Sequence, residues 1–176
     1  MKEPTAAAAA IGPIDRVAVL GSGSWGTAFA KVLVDAGRDV VLFARRTALA
    51  DAIAAERVNR EYLPEGTLPA GLSVTADLET ALAGVDAVVL AVPSQAMRES
   101  LATVYDLLPR RGPIISLAKG IEIGTGMRMS QIIERVGRVP AGRVVVLSRP
   151  NLAREIAAEQ PTATVIACTG PAMAAA

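Results

Sequence analysis

Gly21-Ser22-Gly23-Ser24-Trp25-Gly26 follows directly on the apolar run Val17-Ala18-Val19-Leu20. A buried strand feeding a glycine-spaced turn that opens a helix is the arrangement that receives a dinucleotide pyrophosphate. The three glycines answer separate needs. Gly21 permits the tight turn, Gly23 lets the backbone approach the pyrophosphate, and Gly26 lets the helix pack against the strand. The helix start then offers unpaired N–H groups and the positive end of its dipole to the anion. The glycines alone are a weak signal. The strand before them and the helix after them make a dinucleotide site the reading of this segment.

Outward from this loop, short apolar runs alternate with helical stretches. The first helix continues through Ala28 to Val34, with Gly37 placed as its stop. Val40 to Phe43 reads as a second strand, and Thr47 as the cap of a helix reaching about Ala55. Asn59 to Gly71, polar and proline-containing, reads as an excursion between units. Val74 falls in a short strand and Leu78 to Ala83 in a short helix. Ala87 to Val92 is a buried strand, and Ser94 is expected to cap a helix running to about Leu108. Strands are expected at Pro113 to Leu117, Arg143 to Leu147 and Thr162 to Ala167. Helices are expected at Met129 to Val136 and Asn151 to Glu159. This alternation predicts an α/β fold, a doubly wound, mostly parallel Rossmann-type sheet with helices on both faces. The expected domain spans residues 14–168, with a disordered extension at 1–13 and a short tail at 169–176.

Composition agrees with such a core. Of the 176 residues 52% are hydrophobic but only 3% aromatic, so Val, Leu, Ile and Ala must build it, as in a covered parallel sheet. The net charge of +1 provides no field to recruit nucleic acid or an anionic membrane. No His is present, which removes the usual general base and the commonest metal ligand, and no metal site is expected. The single cysteine, Cys168, excludes an internal disulfide and reads as a small buried residue ending a strand. No apolar run approaches the roughly 20 residues of a membrane span, and a cytoplasmic protein is expected.

In doubly wound sheets ligands bind beyond the carboxyl ends of the strands. Four segments lie there. The glycine loop is one. The second is Arg45-Arg46, at the spot where cofactors lacking a 2′-phosphate usually meet an acidic residue. Two guanidiniums there favour NADPH over NADH without excluding NADH, the alternative being two solvated arginines that begin a helix. Val92-Pro93-Ser94-Gln95 is the third, as a cofactor contact or as capping alone. The fourth is Lys119-Gly120, whose ammonium is suited to a phosphate or a carbonyl, or is simply solvated. Nearby Glu122 reads as a surface carboxylate, with an ion-pair partner as the alternative.

Several further segments share one order and spacing: Gly21-Ser-Gly-Ser-Trp25-Gly26-Thr-Ala, Ala44-Arg45-Arg46, Asn59-Arg-Glu-Tyr62-Leu63-Pro64, Ala91-Val92-Pro93-Ser94-Gln95, Lys119-Gly120-Ile121-Glu122 and Leu147-Ser148-Arg149-Pro150-Asn151-Leu152-Ala153. In these the chain resembles the bacterial NAD(P)-dependent sn-glycerol-3-phosphate dehydrogenases over about Arg16 to Ala167. The resemblance implies reversible hydride transfer between NAD(P)H and dihydroxyacetone phosphate, giving sn-glycerol 3-phosphate for phospholipid synthesis. Beside the loop glycines Gly21, Gly23 and Gly26, it implies cofactor contacts from Ser24, Trp25, Arg45, Arg46 and Ala153. Lys119 would touch cofactor and substrate, and Arg149 and Asn151 would line the substrate pocket. The charge and the lack of a long apolar run point to no nucleic-acid partner and no membrane insertion, and a homo-oligomer stays open.

Two departures carry consequences. Arg149 stands where the family has glycine, so crowding of a close backbone approach and weakened use of substrate are expected. The family's helical C-terminal domain, with its proton-transferring lysine, does not follow Thr169 to Ala176. The chain therefore reads as a fragment or truncated product that binds cofactor without turning over substrate. A catalytically inactive NAD(P)-binding module, or decayed homologue, is the alternative.

Overall fold

A computed structural model describes residues 12–148 and 152–174. Seven strands form one sheet: β1 (Arg16–Leu20), β2 (Asp39–Phe43), β5 (Leu72–Thr75), β6 (Ala87–Leu90), β7 (Ile114–Ser116), β8 (Val144–Ser148) and β9 (Val165–Cys168). Their spatial order is β5-β2-β1-β6-β7-β8-β9. All neighbours are parallel except β8 and β9, which run antiparallel. The mostly parallel sheet expected from the alternation is present.

Strand β1 shows why the sheet needs cover on both sides. Ala18 and Leu20 enter one apolar cluster, with Met97, Leu101, Ile132 and Ile133. Val17 and Val19 face the other way, into a cluster with Ala30, Val40, Leu42 and Ile53. Side chains alternate across a strand, so a run buried at every position must be packed on both faces. The covering helices are α1 (Ser24–Asp35) and α2 (Thr47–Glu56) on the second face. On the first face lie α3 (Leu78–Leu82), α4 (Met97–Val104) and α5 (Met129–Val136).

Helix α1 ends where Gly37 predicted. Gly37 has φ +79°, its N–H donates to the Val34 carbonyl, and the Arg38 N–H donates to Leu33. That pair of bonds is the Schellman closure, which requires a left-handed residue. Lys31 within α1 is buried, and its ammonium meets Asp35 at 2.7 Å and Glu159 at 3.0 Å. Those two carboxylates raise its pKa.

Several boundaries differ from expectation. Thr47 is the first helical residue of α2 and caps nothing; Arg46 takes the capping position without a side-chain bond. Ser94 does not cap either. Pro93 precedes a tight 3-10 turn over Ser94–Ala96, which leads into α4. That helix stops at Val104, short of Leu108, and the Leu107 N–H closes a turn onto the Val104 carbonyl at 2.9 Å before Pro109. The excursion is ordered: β3 (Val58–Asn59) and β4 (Leu63–Thr67) make an antiparallel ribbon with Asn59 and Leu63 wholly buried. Helix α6 is confined to Ala153–Ala157 within the described residues. The last strand begins at Val165 rather than Thr162, and Cys168 is half-buried rather than buried, its thiol donating to the Gly142 carbonyl at 3.4 Å. Helix α7 (Pro171–Ala174) follows it. Residues 1–11, 149–151 and 175–176 lie outside the described residues, and with them most of the expected extension, Arg149 and Asn151.

Candidate dinucleotide site

Strand order reverses between β1 and β6: later strands lie to either side of β1. The loops leaving the carboxyl ends of such a pair part to opposite faces and leave a crevice. A cleft of about 780 Å³ opens there. Its walls carry Gly21 to Trp25 from the first loop, Arg45 and Arg46 beyond β2, Tyr62 from the ribbon, and Val92 and Pro93 beyond β6.

The loop glycines divide by what requires them. Gly21 has φ +114°, and a Cβ there would lie 2.5 Å from the Ala91 carbonyl oxygen. A Cβ on Gly26 would lie 1.9 Å from the Gly21 carbonyl oxygen. Both are demanded by the protein's own packing. Gly23 is different: its φ is −69°, open to any residue, and a Cβ there would meet nothing within 4 Å. Its bareness serves the space in front of it, as the close approach of a pyrophosphate requires. No side chain caps α1 and no acidic residue stands in its first turn, so its orphan N–H groups remain for an anion. These residues fit a dinucleotide.

The sequence reading missed what braces the loop. Asn59 Nδ2 donates to the Ser22 carbonyl and to Thr27 Oγ1, both at 2.8 Å. Thr27 Oγ1 in turn donates to the Ser22 carbonyl at 3.3 Å. All three groups are buried, so these bonds replace solvation the loop has lost. Asn59 stood in a quoted segment, but nothing in its spacing points to residues 22 and 27.

Directly after the loop, Trp25 packs against Phe29, ring centroids 6.0 Å apart. Arg45 and Arg46 are exposed. Arg45 makes no hydrogen bond or ion pair among the described residues, whereas the Arg46 guanidinium donates to the Glu61 carboxylate. That contact raises the Arg46 pKa and holds the Glu61 carboxyl below its ordinary value.

Lys119 lies apart from these groups. It lines an adjoining pocket of about 540 Å³ together with Arg128, Ser130, Ser148 and Thr169. The two cavities meet at Ala118, which borders both. The Lys119 loop is tied to the loop beyond β6 through Gln95, whose amide donates to the Ile121 carbonyl and accepts from the Ile123 N–H, each at 2.9 Å. Glu122 is a buried carboxylate, not a surface one. Arg98 holds it in two bonds of 2.9 and 2.8 Å and Thr125 donates a third, which lowers its pKa to about 2. Ala153 heads α6 and borders neither cavity.

Residues 16–174 match the family model described as NAD-dependent glycerol-3-phosphate dehydrogenase N-terminus. The chain belongs to this family. It is 54% identical over 153 residues to glycerol-3-phosphate dehydrogenase (NAD(P)+) 2 of Mycobacterium tuberculosis, covering 87% of this chain and 46% of that protein. With the Nocardia farcinica glycerol-3-phosphate dehydrogenase it shares 55% over 164 residues, covering 90% of this chain and 48% of the relative. The crystal structure of the Coxiella burnetii glycerol-3-phosphate dehydrogenase superposes with a TM-score of 0.80 at 35% identity, over 89% of this chain and 47% of that one. The chain thus spans about half the length of the curated relatives it matches. Among the described residues no helix is long and apolar enough to cross a membrane.

Proposed function

We propose that this chain is the dinucleotide-binding half of an enzyme that transfers a hydride between NAD(P)H and dihydroxyacetone phosphate, yielding sn-glycerol 3-phosphate. The observation that carries the reading is Gly23, bare without any demand from the protein's own packing, at the uncapped start of α1. Gly21, Gly23, Ser24, Trp25 and Gly26 would hold the pyrophosphate and the adjoining cofactor surface. A bound nicotinamide would supply or take up the hydride. Lys119, across Ala118 from the cleft, suits the substrate's phosphate or carbonyl by charge. Arg149, Asn151 and Ala153 are assigned to substrate and cofactor on the family resemblance alone. We assign residues 14–168 to the cofactor domain, and on composition we place the protein in the cytoplasm, with a homo-oligomer as the reading to be tested by its solution mass.

Arg45 and Arg46 favour NADPH, because a guanidinium fork matches a 2′-phosphate and no carboxylate stands at the end of β2 to accept a ribose hydroxyl. Calorimetric titration of both cofactors tests this. NADPH is expected to bind more tightly than NADH, and Arg45→Ala to reduce the difference. Equal affinities in the parent chain would overturn the preference, and binding of neither would overturn the cofactor assignment.

A further inference from the structure

Arg46 is engaged before any cofactor arrives. It stands at the start of α2, on the wall of the cleft, while Glu61 reaches it from the turn between β3 and β4. Glu61 is not part of that wall; it holds Arg46 from beside the cleft. The side chains of Arg46 and Glu61 are 55% and 45% exposed, so the pair is open to exchange with a competing anion. Tyr62, next in sequence, lines the cleft, and the Glu61 carboxylate raises the pKa of its phenol. Arg45 has no such partner among the described residues, which makes the two arginines unequal.

We propose that Glu61 is an internal competitor of the cofactor's 2′-phosphate: it holds Arg46 in the free protein, so a phosphorylated adenosine ribose must displace it and an unphosphorylated one need not. This rests on the reading that the cleft takes NAD(P)(H) with its adenosine end beyond β2. The consequence is graded specificity. Arg45 favours the phosphorylated cofactor, and Glu61 withholds part of the gain that Arg46 offers. NADH escapes this competition because it brings no charge to Arg46. The acidic residue missing from the end of β2 is thereby supplied from the ribbon, acting on the arginine rather than on the ribose. An exposed ion pair of this kind changes an equilibrium by up to about fivefold, which sets the size of the effect.

Glu61→Gln keeps the shape of the side chain and removes its charge, and Glu61→Ala serves as a second variant should the amide find a new bond. Each is titrated with NADPH and NADH, and with 2′,5′-ADP and 5′-AMP, which carry the adenosine end alone. Both variants are expected to bind NADPH and 2′,5′-ADP about two- to fivefold more tightly than the parent, with NADH and 5′-AMP unchanged. In an Arg46→Ala background the same substitutions are expected to have no effect. The proposal is overturned if NADPH affinity stays the same or falls, if NADH gains equally, or if the gain persists without Arg46. If Arg46→Ala weakens NADPH selectively while the Glu61 variants match the parent, this inference fails and the cofactor reading stands. Binding of neither dinucleotide by the parent chain removes both.

Discussion

Two glycines three residues apart separate what the fold needs from what a ligand needs. Gly26 sits where a methyl group would collide with the Gly21 carbonyl, a backbone atom that cannot swing aside. Gly26→Ala is therefore expected to unfold or severely destabilise the protein, a loss of several kcal/mol, on the order expected for core overpacking. Gly23→Ala meets no atom of the protein and needs no unusual backbone angle. It is expected to leave stability within about 0.5 kcal/mol of the parent, as for substitutions that touch nothing. Dinucleotide affinity should nevertheless fall at least tenfold. Thermal unfolding and calorimetry on the same samples separate these outcomes. A Gly23→Ala chain that binds as tightly as the parent would show that no ligand approaches there. Asn59 belongs to this scale as well, because one buried amide donates both to the Ser22 carbonyl of the loop and to the Thr27 hydroxyl of α1, joining the two.

Between elements, the loops beyond β6 and β7 are coupled by two devices. Gln95 clamps the backbone at Ile121 and Ile123, and Arg98 of α4 clamps the Glu122 side chain. Glu122, with its pKa lowered to about 2, imposes a pH dependence of known sign. A carboxyl depressed in the folded state contributes stability above its unfolded pKa and loses that contribution as pH falls toward its folded value. For Glu122 the window runs from about 4.5 down to about 2. Glu122→Gln should thus lower stability at neutral pH and flatten the decline across this window, read by urea unfolding at a series of pH values. A decline as steep as the parent's would mean that the Arg98 pair does not contribute. A third clamp ties the segment before β7 to the turn before β8, where the Arg143 guanidinium donates to the carbonyls of Pro109, Arg110, Arg111 and Gly112. It closes the turn that α4 leaves by stopping early.

For the molecule as a whole, two cavities lie side by side and share Ala118, and the proposed function assigns the larger to the cofactor. Cofactor at about 100 times its Kd is expected to stabilise the folded chain by about 2.7 kcal/mol, which raises Tm by roughly 5–10 °C for a domain of this size. An unchanged Tm would contradict the cofactor assignment.

Much of the fold was legible because it is written in local pattern. Runs such as Val17 to Leu20 and Ala87 to Leu90 admit few alternatives to a covered parallel strand, and Gly37 stops α1 by its own conformational freedom. Helix starts were read less well, since Thr47 and Ser94 have capping side chains that the backbone does not use. The direction of β9 was also undetermined, because an edge strand's residues look alike in either orientation and only its pairing with β8 decides.

By itself the sequence determined the glycine loop, the strands around it and the family, because these depend on residues adjacent in the chain. Tertiary structure alone decided that Asn59 braces a loop 37 residues before it, and that Glu61 takes Arg46, 15 residues away. It alone decided that Lys119 faces a neighbouring pocket rather than the first cleft. Such contacts depend on where the ribbon and the loops come to rest against the finished sheet, and no periodicity along the chain records that position.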